Sequence, residues 1–153
     1  MADASILLDT LAAANVIQLA GPGRYQFHDL IRDYAAALCE EHDEPADRTA
    51  AYVRLLAYYA STVDAVADRL YADWARVPLS STLDGPSRSD LVTAADQLAW
   101  LDPEHANLVA VVRQSEFGGG EQLVCGIVSG LYGYLNTHRH DRDWRNAGRD
   151  GQP

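Results

Sequence analysis

Hydrophobic positions recur along the chain at two spacings, and each change of spacing marks a boundary between elements. In "SILLDTLAAAN", Ser5 to Asn15, the residues Ile6, Leu7, Leu11 and Ala14 fall at the steps of a helix face, and that helix is expected to end near Asn15. "VIQLAGPGRYQF" follows, two short runs of β-forming residues around Gly21-Pro22-Gly23, which predicts a small hairpin. From His28 the helical repeat returns through Leu30, Ile31, Tyr34, Ala35 and Leu38, until the charged "EEHDEPAD" breaks it at Pro45.

A long helix is predicted next, over roughly 46–76, with Tyr52, Leu55, Leu56, Tyr59, Val63, Val66, Leu70 and Trp74 on one stripe and Arg54, Asp64 and Asp68 on the other side. Such a stripe is stable only when packed on other helices. "PLSSTLDGPSRSD", Pro78 to Asp90, has no period and reads as a loop. "LVTAADQLAWLDPEHANLVAVVRQSEF" is expected as two helices joined at Asp102-Pro103, with Asp as a cap and Pro in the first helical position. After Gly118-Gly119-Gly120 comes a last stripe of Leu123, Val124, Ile127, Val128, Leu131 and Leu135, in which Gly126 and Gly130 predict the close approach of a neighbouring helix. Trp144, in the charged C-terminal run, is expected to begin a further short helix. The fold class is therefore mainly α: a partial winged helix with one small β-hairpin, then an α-helical bundle, with no internal repeat visible.

Composition narrows the function classes. A hydrophobic content of 48% over 153 residues supports a real core. Cys39 and Cys125 both sit in apolar helical patterns and are expected as buried free thiols. "MADASILLDT" carries an acid where a signal peptide needs its basic region, so a cytoplasmic protein is expected. The apolar run Leu123 to Leu135 is well short of the roughly 20 residues that span a bilayer, so no membrane association is expected. The formal net charge is −10. Between positions 28 and 50, Asp29, Asp33, Glu40, Glu41, Asp43, Glu44 and Asp47 face only Arg32 and Arg48, a field that repels phosphate backbones. The first helix has no basic residue, which argues against nucleic-acid recognition through it.

All twelve basic residues are arginine. A Walker A loop needs a lysine on the nucleotide phosphates, so this chain carries none. His138-Arg139-His140-Asp141 superficially suggests a metal site but lacks partners at ligand spacing, and no metal is expected. No nucleophile signature such as GxSxG is present, and no catalytic residue is assigned. Tyr52, Tyr58, Tyr59, Tyr71 and Trp74 lack interleaved basic residues, so they read as core rather than as base-stacking platforms.

The pair His28-Asp29, at the junction of hairpin and helix, has two readings. Either side chain can cap the helix. The same place is also an anion site, with exposed N–H groups, the positive end of the helix dipole and an imidazole able to donate to a phosphate oxygen.

"LLDTLAAANVIQLAGPGRYQFHDLIRDYA" resembles the end of the winged-helix subdomain in the NB-ARC modules of bacterial STAND-class regulators, among them large antibiotic-pathway activators with a tetratricopeptide tail. In that family the hairpin leads into an MHD motif, and Phe27-His28-Asp29 stands in its position, followed by Leu30, Arg32, Tyr34 and Ala35. "AWLDPEHANLVAVV", Ala99 to Val112, resembles the helical linker that such regulators place before their repeats. The resemblance implies that His28 contacts the β-phosphate of bound ADP and that Asp29 supports its geometry. Phe27 replaces the family's Met by another hydrophobic residue. The P-loop and Walker B segments have no counterpart in this chain, so no cofactor is expected for it alone, while ADP or ATP is implied for the full-length family. The layout implied is the C-terminal part of a winged helix over 1–44, a helical linker over 45–117, the first tetratricopeptide-like helices over 118–148 and a tail over 149–153. The function implied is that of a non-catalytic regulatory segment, a fragment of a longer regulator, whose partners are other proteins or the rest of its own regulator. Two alternatives remain open at this point: a helical protein-interaction module with no nucleotide role, and a winged-helix DNA-binding protein.

Overall fold

The computed structural model describes residues 4–76, 88–114 and 120–147, with the side chains of 138–147 excepted. It is mainly α, with one two-stranded antiparallel sheet among the described residues. The order is α1 (Ala4–Ala13), β1 (Ile17–Gly21), β2 (Arg24–Phe27), α2 (Asp29–His42), α3 (Pro45–Leu70), α4 (Ala94–Gln114) and α5 (Glu121–Ala147). The chain divides into two compact units, Met1–Arg48 and Thr49–Pro153.

The first unit is built by local rules. Asn15 takes a left-handed conformation, φ 57°, just past α1, where a short polar side chain tolerates what most residues do not. The hairpin pairs Ile17 with Phe27 and Leu19 with Tyr25, with an irregularity between Leu19 and Gly21. Its two-residue turn places Pro22 where φ must be near −65° and Gly23 at φ 65°, the demand of a type II turn. The Tyr25 hydroxyl donates to the Asp9 carboxylate at 2.7 Å, tying the sheet to α1. At the far end of α2, the Arg48 guanidinium donates to the carbonyls of Cys39, Glu40 and Asp43, the acceptors a helix leaves open at its C-terminus. Ile17 is the one buried side chain among the described residues of this unit.

The second unit has a conventional core. Leu56, Tyr59, Val63 and Val66 of α3 pack with Trp100, Leu101, Leu108 and Val111 of α4 and with Leu123, Ile127, Leu131 and Tyr134 of α5. Of the expected pair Gly126 and Gly130, close approach is seen at Gly130, and a second close approach falls at Gly133, outside that pair. A Cβ on Gly130 would lie 2.6 Å from Val63 Cγ1, and one on Gly133 would lie 2.6 Å from the Tyr71 ring.

Four expectations are corrected. Helix α3 stops at Leu70 rather than near Arg76, because the chain turns through Tyr71 to Trp74 and brings Arg76 back onto the carboxylates of Asp64 and Asp68. The predicted break at Asp102-Pro103 does not occur: α4 is one helix with Pro103 inside it. Proline there costs a backbone hydrogen bond and about 3 kcal/mol, offset by buried residues on both sides of it, Trp100 and Leu101 before and Leu108 and Val111 after. The real start of α4 is a reciprocal cap that the break at Pro103 obscured. The Asp96 N–H donates to Thr93 Oγ1 at 3.1 Å while the Thr93 N–H donates to Asp96 Oδ2 at 2.9 Å. Trp144 begins no new helix, since the backbone of α5 runs on to Ala147. Cys39 and Cys125 are free thiols but exposed: α2 buries no residue, and on α5 Cys125 falls off the face that buries Leu123 and Ile127. A hydrogen bond to Asp43 pushes the Cys39 thiol up from its ordinary pKa, favouring the uncharged form. The predicted loop at 78–90 falls outside the described residues as far as position 87.

Candidate functional site

His28 is the residue immediately before α2, with extended backbone (φ −66°, ψ 146°), as a helix N-cap requires. Its side chain makes no capping hydrogen bond. Its carbonyl accepts the Arg32 N–H at 2.9 Å, so the first helical bond is made by backbone alone. Asp29, the first residue of α2, does not cap either. Its carboxylate accepts from the Arg32 guanidinium at 2.6 Å, an i,i+3 pair on an exposed surface. Such a pair stabilises by at most about 1 kcal/mol, so its main effect is to fix where the carboxylate and guanidinium stand.

Both readings of the pair can now be judged against geometry. A capping role for the His28 or Asp29 side chain is absent. What remains at the start of α2 is a set of first-turn N–H groups and an exposed imidazole beside them, donors that suit an anion, with Arg32 already paired to the Asp29 carboxylate. The hairpin positions this set, because β2 ends at Phe27 and hands the chain to α2 through His28 alone.

The second matched segment, "AWLDPEHANLVAVV", proves to be a joint between helices. The Tyr134 hydroxyl of α5 donates to the Asp102 carboxylate at 2.7 Å, and the Tyr59 hydroxyl of α3 donates to Glu104 at 2.9 Å. Glu104 also accepts from Asn107 at 2.9 Å, and the His105 ring lies 6.0 Å from that of Tyr134. The acids that read as a helix boundary in sequence instead reach across from α4 to both its neighbours. Only three-dimensional proximity reveals this, since Tyr59 and Tyr134 stand far from the segment along the chain.

Sequence reasoning also passed over Arg76, whose partners Asp64 and Asp68 had been assigned simply to a polar face. The acids' spacing of one helical turn was the available signal. Burial and the charge of Asp68 hold the Asp64 carboxyl above its usual pKa, although Arg76 opposes this. Among the described residues no group of His, Cys, Asp and Glu could hold a metal ion. The histidines of "HRHD" have side chains outside that set. No helix among the described residues is long and apolar enough to cross a membrane.

No protein-family model matches the chain, and no solved structure does. Two curated relatives do. The chain is 38% identical to the regulatory protein AfsR of Streptomyces coelicolor over 122 residues, 74% of this chain and 12% of the relative. It is likewise 38% identical to the regulatory protein AfsR of Streptomyces griseus over 129 residues, 80% of this chain and 12% of the relative. The chain thus spans 12% of the length of each of these regulators.

Proposed function

We propose that this chain is a non-catalytic regulatory segment of AfsR type, corresponding to the end of a STAND-class winged helix, its helical linker and the first tetratricopeptide-like helices. In the complete regulator His28 senses the β-phosphate of ADP, with Asp29, held by Arg32, supporting the geometry of the helix start. The observation that carries this reading is the His28 imidazole at the N-terminus of α2, making no capping bond, in a chain similar to named regulatory proteins. The donors present suit a diphosphate: N–H groups at the helix start, the dipole and an imidazole. With no lysine in the sequence, the P-loop contacts must come from elsewhere in the regulator. Bound nucleotide would then bias the winged helix between two positions, a ligand-shifted two-state element.

The test is made in a full-length regulator carrying this segment. His28→Ala is expected to weaken ADP retention and alter signalling, and unchanged nucleotide retention together with unchanged signalling overturns the reading. The isolated chain is expected to show no ATP hydrolysis.

A pure interaction module is the second reading, favoured by one observation: Ile6, Leu7, Leu19, Leu30 and Tyr34 are all more than half exposed. It predicts that His28→Ala changes nothing while substitutions on this apolar surface abolish partner binding. DNA binding through the winged helix has no comparable support, because α1 carries no basic side chain.

A further inference from the structure

Helix α4 is firmly packed towards both ends and weak in its middle turn. Its buried residues are Gln97, Trp100 and Leu101 before Pro103 and Leu108 and Val111 after it, and none falls between Leu101 and Leu108. The helical repeat that carries Leu101 and Leu108 to the core passes through Glu104 and His105, so the inward positions of this turn hold a carboxylate and an imidazole, both half-buried, where apolar residues would continue the stripe. Pro103 stands in the same turn. It brings no N–H, so the Ala99 carbonyl has no helical donor, and Ala99 and Pro103 are both exposed, which leaves that acceptor to water.

Each half of the helix has its own tie to α3. Ahead of the first half, the Leu91 carbonyl accepts from the Arg69 guanidinium at 2.9 Å and from the Gln97 amide at 3.1 Å. In the second half, the Val111 carbonyl accepts from the Tyr52 hydroxyl at 2.5 Å. The weak turn is held to its neighbours by polar contacts: Tyr134 to Asp102 at 2.7 Å and Tyr59 to Glu104 at 2.9 Å. Such bonds exchange for bonds to water at a small net cost, whereas drawing Leu101 or Leu108 out of the core costs the full transfer of a buried side chain. The easiest opening of α4 is therefore at this turn, with the apolar residues of both halves left in place.

We propose that α4 is a two-part helix hinged at Pro103, with the hydroxyls of Tyr59 and Tyr134 as its latches. With both latches made, α4 is one continuous helix. With them released, 94–102 and 104–114 each stay helical and change their mutual angle, the bend that proline permits in a long helix. In the helical pattern the bonds that cross this joint run from the N–H groups of Glu104, His105, Ala106 and Asn107 to the carbonyls of Trp100, Leu101, Asp102 and Pro103. Those four amides report the hinge, and the amides of Leu101 and Leu108 on either side of it do not. The hinge requires no nucleotide role for His28.

The test is native-state amide exchange, read residue by residue by NMR on the full 153-residue chain. The amides of 104–107 are expected to exchange at least about tenfold faster than those of Trp100, Leu101, Leu108 and Val111. Ile127→Val, a mild loss in the core of α5, should speed the flanking amides about fivefold through global unfolding and leave 104–107 unchanged, because the hinge opens without exposing Ile127. Tyr59→Phe and Tyr134→Phe should each speed 104–107 about fivefold, the worth of one hydrogen bond. Pro103→Ala, which restores the missing N–H, should slow them at least about tenfold. Protection at 104–107 equal to that of the flanks, or an equal response of both to Ile127→Val, overturns the proposal, because α4 would then open only with the whole unit. So does exchange at 104–107 that responds to neither tyrosine substitution or that Pro103→Ala leaves unchanged.

Discussion

The two units of this chain follow the same sequence pattern and reach opposite states of burial. In Thr49–Pro153 the apolar stripes of α3, α4 and α5 close on one another, and Leu56, Leu108 and Ile127 have no exposed surface at all. In Met1–Arg48 the stripes of α1 and α2 are equally regular, yet neither helix contributes a buried residue, and Leu30 is 83% exposed. Periodicity says that a helix has an apolar face; it does not say what covers that face. The second unit carries its own core, while the first is held by turn chemistry, a hairpin and a few polar ties. A unit so arranged suits a part whose apolar faces meet other surfaces.

The contrast is broken most severely in the core. Leu108→Ala is expected to cost about 2–5 kcal/mol, whereas Leu30→Ala changes stability by less than about 0.5 kcal/mol. Urea titration of the two variants measures both, and comparable losses would erase the distinction between the units. Next in size is the helix contact at Gly130. Alanine in an exposed helix interior would gain about 1 kcal/mol. Here its Cβ would come 2.6 Å from Val63 Cγ1, so Gly130→Ala is expected to destabilise by about 1–3 kcal/mol. Thermal melting checks this, and the penalty should shrink when Val63→Ala is the background.

The smallest expected effect lies in the cap of α4. Hydrogen bonds from Thr93 hold the Asp96 carboxyl below the ordinary carboxylate range. A carboxylate depressed on folding adds stability above its unfolded pKa, about 3.9, and loses that contribution as the pH falls through its folded value. Lowering the pH from about 5 to about 3 should therefore erode the stability difference between the wild-type chain and Asp96→Asn. A difference that stays constant over that range would assign the cap no ionic part.

Much of this was legible in the sequence. The hairpin followed from Gly21-Pro22-Gly23, because only certain residues accept the backbone angles that its turn demands. The α3 and α5 stripes announced Leu56, Tyr59, Val63, Val66, Leu123, Ile127 and Leu131, which are buried, but they also took in Leu55, Trp74, Val128 and Leu135, which are 40–50% exposed. Pro103 misled, since a local preference for helix starts was overridden by packing on both sides of it. Cys125 misled because an apolar neighbourhood in sequence does not choose the side of a helix, and Cys39 because α2 has no buried side. At the candidate site, His28 and Asp29 were identifiable from their place after the hairpin. That neither side chain caps the helix depended on rotamers and on Arg32, which no sequence pattern specifies. The cluster of Arg76, Asp64 and Asp68 required a chain reversal after Leu70 that periodicity had carried straight through.

Amide hydrogen exchange on the intact chain tests the contrast between the units most directly. Its slowest amides are expected in α3, α4 and α5 around Leu56, Leu108 and Ile127, exchanging only through global unfolding, with α1 and α2 exchanging far faster through local opening. Equal protection in α1, α2 and the three helices of the second unit would contradict the account, because it would mean that the first unit unfolds only together with a core to which its helices contribute no buried residue.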